Sequence, residues 1–276
     1  MDNYENTFTV TTQPYDIKIV DSLGNDVEYT HFTFSGGEEQ VRIEPFDVNA
    51  CTIHAKQLTS VGIAVLELLT NALYYMDKKV TIFMPYLPYA RQDRVCSPGE
   101  ANALKSFLSK FTVEELVAVD VHNPSAAKQV LNIPFSKNLI WELEQQHFDV
   151  LVAPDKGARG RCEVIAKELG ISFVIMAEKV RNPDTGVIEK TVVSEEDLAL
   201  LDEKRVLIYD DICDGGRTFI ELAKVLKLGN PYAISLAVTH GIFSKGMEPI
   251  MEDIDYVYTT DSICHFEHDF LTVVPV

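Results

Sequence analysis

An α/β fold built on mostly parallel sheet is what this sequence predicts, and three observations predict it. Short apolar runs of strand character alternate with longer amphipathic patterns throughout, as chained βαβ units require. Most clusters of polar, chemistry-bearing residues follow directly on one of those runs, and open α/β sheets gather ligands outside the carboxyl ends of their strands. The length, 276 residues, also suffices for two modest α/β domains with cores of their own.

In chain order, Gln40 to Glu44 and Cys51 to Ala55 read as early strands. An apolar helix pattern from Val61 to Met76 leads to the strand Val80 to Met84; it contains Glu67 and Asn71 and is too short to span a bilayer. Leu116 to Asp120, Val150 to Ala153, Ser172 to Met176, Arg205 to Asp210 and Ala233 to Thr239 continue the series, with a helix from Arg161 to Leu169. The polar, proline-containing stretch Ile133 to Trp141 precedes a new apolar pattern and predicts a junction, giving domains 1–138 and 139–276. Arg181 to Leu198 differs in character: Asn182-Pro-Asp-Thr-Gly186 and several charges suit a mobile flap or hairpin, which a catalytic lid needs.

Composition narrows the class of protein. A net charge of −18 argues against nonspecific nucleic-acid binding, which needs an excess of Lys and Arg. An anionic-nucleotide enzyme of this charge must concentrate its cations locally, and Arg91, Arg94, Lys179, Arg181 and Arg217 are placed to do so. The acidic, polar amino terminus does not fit a secretory signal. Five single cysteines, with no Cys-x-x-Cys pair, suit reduced thiols and a cytoplasmic setting. His265 and His268 have helix-like metal spacing but lack the rest of a zinc set, so surface or interface histidines are the better reading.

Two blocks carry the chemistry. In Val206-Leu-Ile-Tyr-Asp-Asp-Ile-Cys-Asp-Gly-Gly-Arg-Thr218 an apolar strand ends in Asp210 and Asp211 and turns through Asp214, Gly215 and Gly216. A helix follows, with Phe219, Leu222, Ala223 and Leu226 on one face. Unpaired N–H groups at a helix start, glycines that let a phosphate come close, the Thr218 hydroxyl and acids suited to sugar hydroxyls make a ribose-phosphate cradle. An ordinary strand-to-helix turn capped by Asp214 is the plainer alternative. In Met84-Pro-Tyr-Leu-Pro-Tyr-Ala-Arg-Gln-Asp-Arg94, Arg91 and Arg94 around Gln92 and Asp93 can grip a polyphosphate and a base or ribose. A solvated charged loop is the alternative there.

The first block resembles the phosphoribosyl-binding loop of the type I phosphoribosyltransferase fold, with Asp210, Asp211, Asp214, Gly216 and Thr218 in register. The second is similar to the ATP-binding loop of ribose-phosphate pyrophosphokinases, the PRPP synthetases, including an unbroken Arg91-Gln-Asp-Arg94. Val119-Asp-Val-His122, Val152-Ala-Pro-Asp-Lys-Gly-Ala158, Glu178-Lys-Val-Arg181 and Thr239-His-Gly-Ile-Phe-Ser244 resemble further elements of that family in the same order. The resemblance runs from about residue 8 to about residue 263, and the chain ends soon after Phe270, where the family usually continues with a terminal helix. It implies two stacked type I phosphoribosyltransferase-like domains, each with a mostly parallel sheet flanked by helices. It also implies transfer of the β,γ-diphosphoryl group of ATP to the C1 hydroxyl of ribose 5-phosphate, releasing AMP, with magnesium (Mg2+) as cofactor. By the same analogy Lys179 and Arg181 are catalytic and His122 and Asp155 are the metal candidates. Phe34, Glu38, Arg91, Gln92, Asp93, Arg94 and His122 would serve ATP. Asp155, Asp210, Asp211, Asp214, Gly215, Gly216, Arg217 and Thr218 would serve the ribose phosphate.

Three departures matter. Gly215 stands where the family usually has Thr, and Arg217 where it usually has Gly. A fixed guanidinium there would suit a second phosphate beside the first, so an esterified acceptor such as ADP-ribose, feeding NAD salvage, is the alternative to free ribose 5-phosphate. Gly36 replaces the acid in Phe34-Ser-Gly-Gly-Glu38, the element that in the family reaches a neighbouring subunit's ATP. Self-association as dimer or hexamer is the family expectation. A non-catalytic regulator of synthetases, or a transferase that consumes PRPP, are the competing classes. The regulator would be expected to lack Lys179, Arg181 and His122; the transferase leaves Arg91 to Arg94 unexplained.

Overall fold

A computed structural model describes residues 15–181, 188–264 and 267–276. Asn182 to Gly186 of the expected flap, His265, the first residues of the family resemblance and the side chains of Lys179 and Arg181 lie outside the described residues. The chain forms two compact units, Met1–Asn132 and Ile133–Val276.

In the first unit the strands are β1 (Asp16–Asp21), β2 (Asp26–Val27), β3 (Tyr29–Thr33), β4 (Glu39–Ile43), β5 (Ala50–Lys56), β6 (Lys79–Phe83), β7 (Glu115–Val119) and β8 (Val130–Ile133). The helices are α1 (Ser60–Tyr75) and α2 (Ala103–Leu108). Six strands form one sheet in the order β2-β1-β5-β6-β7-β8, parallel across β5, β6 and β7 and antiparallel where β1 meets β2 and β5. The hairpin β3–β4 stands apart as a two-stranded sheet. Thr59 caps α1 by accepting the Gly62 N–H at 3.2 Å, and the helix buries Val65, Leu66, Leu69 and Leu73 at helical spacing in the core of this unit.

In the second unit the strands are β9 (Val150–Ala153), β10 (Phe173–Met176), β11 (Glu178–Arg181), β12 (Ile188–Val192), β13 (Arg205–Cys213), β14 (Ala233–Gly241), β15 (Tyr256–Thr260) and β16 (Leu271–Val274). The helices are α3 (Lys137–Glu144), α4 (Arg159–Glu168), α5 (Glu195–Ala199), α6 (Arg217–Leu226) and α7 (Glu248–Met251). The main sheet, β10-β9-β13-β14-β15-β16, is parallel at every pairing. A parallel sheet is covered on both faces, and the central strands show it: Val206, Leu207, Ile208 and Tyr209 are all buried. α6 buries Phe219, Leu222, Ala223 and Leu226, the face predicted for it. The expected flap region, Arg181 to Leu198, begins at the end of β11 and includes β12, which pairs antiparallel with β11.

Two elements differ from the sequence reading. β13 does not end at Asp210 and Asp211; it pairs with β14 as far as Cys213, so the acids sit inside the strand's last turn of pairing. The terminal stretch supplies a sixth strand, β16, on β15. No helix of the described residues is long and apolar enough to cross a membrane.

Candidate active site

The centre of the second unit is an ion cluster that the sequence did not announce. Arg161, on α4, spreads its guanidinium between two acids of β13: Nη1 lies 3.0 Å from Asp210 Oδ1 and Nη2 3.3 Å from Asp211 Oδ2. All three groups are largely withdrawn from solvent. Burial, then the neighbouring Asp211 carboxylate, push the Asp210 carboxyl above the ordinary range, and Arg161 opposes that shift without cancelling it. The acids assigned to sugar hydroxyls are therefore held in place before any sugar arrives.

Beyond them the chain turns into α6. Gly216 is the helix N-cap with φ 74°, and a Cβ there would stand 2.7 Å from Ile250 Cγ1, so only glycine fits. The helix has no side-chain cap hydrogen bond, and the Gly216 carbonyl accepts the Phe219 and Ile220 N–H groups at 3.0 Å each. Asp214 is not the cap. Its Oδ1 accepts the Ser244 hydroxyl at 2.6 Å, and its carbonyl accepts the Ser244 N–H at 3.1 Å. The Cys213 carbonyl accepts the N–H groups of Ile242 and Phe243 at 2.8 and 3.2 Å. Thr239-His-Gly-Ile-Phe-Ser244 is thus bonded along its end to Cys213 and Asp214. Burial pushes the Cys213 thiol up to about 12, so it is a neutral packing group rather than a redox one. Arg217 turns away: it is 85% exposed and pairs with Glu221 one helical turn on, Nε to Oε1 2.7 Å.

Asp155 ends the loop after β9, next to β13 in the sheet. Its Oδ1 accepts the N–H groups of Gly157 and Ala158 at 2.9 and 3.2 Å, shaping the turn into α4. Lys179 and Arg181 belong to β11, beside that end of the sheet in sequence, since Ala177 N–H bonds the Ala153 carbonyl.

The first unit gathers the other group. The loop after β6 passes Tyr89 in the left-handed region at φ 62°, a conformation costly for a bulky residue that the surrounding structure must hold. Arg91, Gln92 and Arg94 are exposed, whereas Asp93 is half-buried and accepts the Asn123 amide at 2.6 Å. Asn102 holds the Asp93 carbonyl at 2.9 Å. Asn123 adjoins His122, so one hydrogen bond draws the Arg91–Arg94 loop and the His122 element together. Phe34 and Glu38 sit on the tip between β3 and β4, closed by Phe34 N–H to the Glu38 carbonyl at 2.8 Å. A groove of about 730 Å3 lies between this tip and α1, lined by Gly37, Glu39, Glu67, Tyr74 and Lys110 among others, and contains no predicted site residue.

Among the described residues no three of His, Cys, Asp and Glu form a metal cage. A magnesium ion that arrives with a polyphosphate keeps waters and phosphate oxygens and requires only one or two protein groups. Asp155 in the second unit and His122 in the first are each of a donor type that such an ion accepts, taken separately.

Known proteins resemble the chain on the same pattern. The phosphoribosyl transferase domain family matches residues 128–274. A ribose-phosphate pyrophosphokinase of Pyrococcus furiosus is 30% identical over 194 residues, 67% of each chain. That of Pyrococcus abyssi is 30% identical over 255 residues, 87% of this chain and 86% of the relative. The crystal structure of a phosphoribosylpyrophosphate synthetase from Mycobacterium smegmatis superposes with a TM-score of 0.73 over 90% of this chain and 86% of its own, at 21% identity, which speaks for the fold.

Proposed function

We infer the reaction from one premise: the chain belongs to the ribose-phosphate pyrophosphokinase family and is an ATP-dependent diphosphotransferase. The C1 hydroxyl oxygen of a 5-phosphorylated ribose attacks the β-phosphorus of ATP. The bond from that phosphorus to the α,β-bridging oxygen breaks, AMP leaves, and the hydroxyl gives up its proton. Such transfers need little covalent help, and positioning with charge neutralisation supplies most of the rate.

In this reading Arg91, Gln92 and Arg94 hold the nucleotide. Asp210 and Asp211, fixed by Arg161, accept hydrogen bonds from ribose hydroxyls, while the turn Asp214 to Thr218 receives the 5′-phosphate on the uncapped start of α6. Lys179 and Arg181 come from the hairpin to the transferring phosphates and stabilise charge as it develops. Asp155 and His122 would hold magnesium, whose chemistry is to neutralise phosphate oxygens. The observation that carries the nucleotide assignment is the Asp93–Asn123 bond, which sets an unbroken Arg91-Gln-Asp-Arg94 beside His122. The five free thiols fit a cytoplasmic setting.

The test is AMP release from Mg-ATP with ribose 5-phosphate and, separately, with ADP-ribose. Turnover with ribose 5-phosphate is expected; preference for ADP-ribose would transfer the assignment to an esterified acceptor. No AMP with either acceptor would sink the enzymatic reading. Light scattering in solution tests the expected dimer or hexamer.

A further inference from the structure

We propose that Lys245 is the cation of the acceptor loop and binds a phosphoryl group carried on C5 of the ribose. This rests on the reading of the loop Asp214 to Thr218 as the acceptor's phosphate site and deepens it. The sequence pointed instead to Arg217, the one cation inside the loop. That guanidinium is committed to Glu221 on the outer face of α6. A chain of net charge −18 still has to bring positive charge to a group that carries two negative charges, or to a diphosphate ester.

Lys245 is where that charge stands. It follows Ser244, whose backbone and hydroxyl are bonded to Asp214 at 3.1 and 2.6 Å, and this fixes the approach of the lysine to the loop. Its stem lies against Gly215: a Cβ built on that glycine would be 3.3 Å from Lys245 Cγ and 3.7 Å from Ser244 Oγ. The threonine expected at position 215 would press on this stem, and glycine leaves it room. The substitution that removes a hydroxyl donor from the loop thereby admits an ammonium with three donors. Lys245 is exposed and forms no ion pair among the described residues; the nearby Asp214 carboxylate is engaged by Ser244. Its flexible stem and point charge suit a phosphoryl oxygen arriving at the start of a helix, where backbone N–H groups supply the directional bonds.

Calorimetric titration of ribose 5-phosphate, and separately of ADP-ribose, into the whole protein tests this without turnover. Lys245→Ala should weaken binding about tenfold, the loss of one charge-assisted hydrogen bond, and Lys245→Arg should recover most of it. An equal loss with both compounds places the ammonium on the first phosphate, and a loss with ADP-ribose alone places it on the second. Gly215→Thr, which crowds the stem, should weaken binding in the same direction. Wild-type binding of either compound that Lys245→Ala leaves unchanged overturns the inference and spares the proposed reaction. A wild-type protein that binds neither compound and releases no AMP overturns both.

Discussion

The loop after β6 and the loop after β13 both leave a parallel strand, yet they hold their charged groups in opposite ways. Arg91, Gln92 and Arg94 are exposed, while Asp93 is half-buried and held by Asn123 and Asn102. Asp210 and Asp211 lie within the strand itself, clamped by a guanidinium from another element. Exposed grips cost the fold little and can follow a flexible polyphosphate. Clamped acids make the fold bury two carboxyl groups at close range, and in return they do not have to be ordered when a ligand binds. The Arg91–Arg94 loop is adaptable and the Asp210–Asp211 pair is preorganised.

The sharpest way to break that contrast is to remove a group that belongs to neither loop. Lys179→Ala should lower the rate of AMP release roughly a thousandfold, as loss of a transition-state cation does, with the thermal midpoint unchanged. A fall of less than tenfold would mean that the loops, and not the hairpin, supply the neutralising charge. Next in size is Arg161→Met. Leaving two buried acids without a partner should cost about 3 kcal/mol of stability in denaturant titration, together with a raised acceptor KM; a cost below about 1 kcal/mol would show that the acids are far better solvated than their burial implies. Asp93→Ala should cost about 1 kcal/mol, one amide hydrogen bond in a half-buried setting, and should raise the KM for ATP more than that for the acceptor.

A further expected effect is in pH. Asp210 has its folded pKa raised, chiefly by burial, so the folded chain retains a proton that the unfolded chain has released. Its favourable contribution is complete below the unfolded value and fades as pH rises through the folded one. Asp210→Asn cannot ionise. Between about pH 4 and 8, from the unfolded to the folded value, the variant's thermal midpoint should therefore gain on that of the wild type and then level off, and parallel curves would contradict the raised pKa.

Much of this was legible in the sequence, and the gaps have physical reasons. Val150 to Ala153 and Val206 to Tyr209 announce buried parallel strands because a strand covered on both faces has no polar positions to confuse the pattern. β2 is two residues long and β16 borders solvent, so neither has a pattern to read. Asp210, Asp211 and the glycines stood out as chemistry, but Arg161 did not. It comes 49 residues earlier, on a helix where an arginine looks like solvated face, and only folding brings it to the acids. The pairing of Arg217 had a visible signal, since Glu221 follows at the i,i+4 spacing of a helix. Lys245 had none: a single lysine after a serine acquires meaning only once its stem is seen against Gly215.

The bonds from Ile242, Phe243 and Ser244 to Cys213 and Asp214 have a consequence for anyone who would rebuild this protein. The two segments form one transplantable part. A graft of residues 210–218 alone into a related scaffold would arrive without the struts that set its shape, and in the reverse graft a threonine at position 215 would press on the resident Lys245. Moving 210–218 together with 241–246 carries the loop, its braces and its charge as a single module.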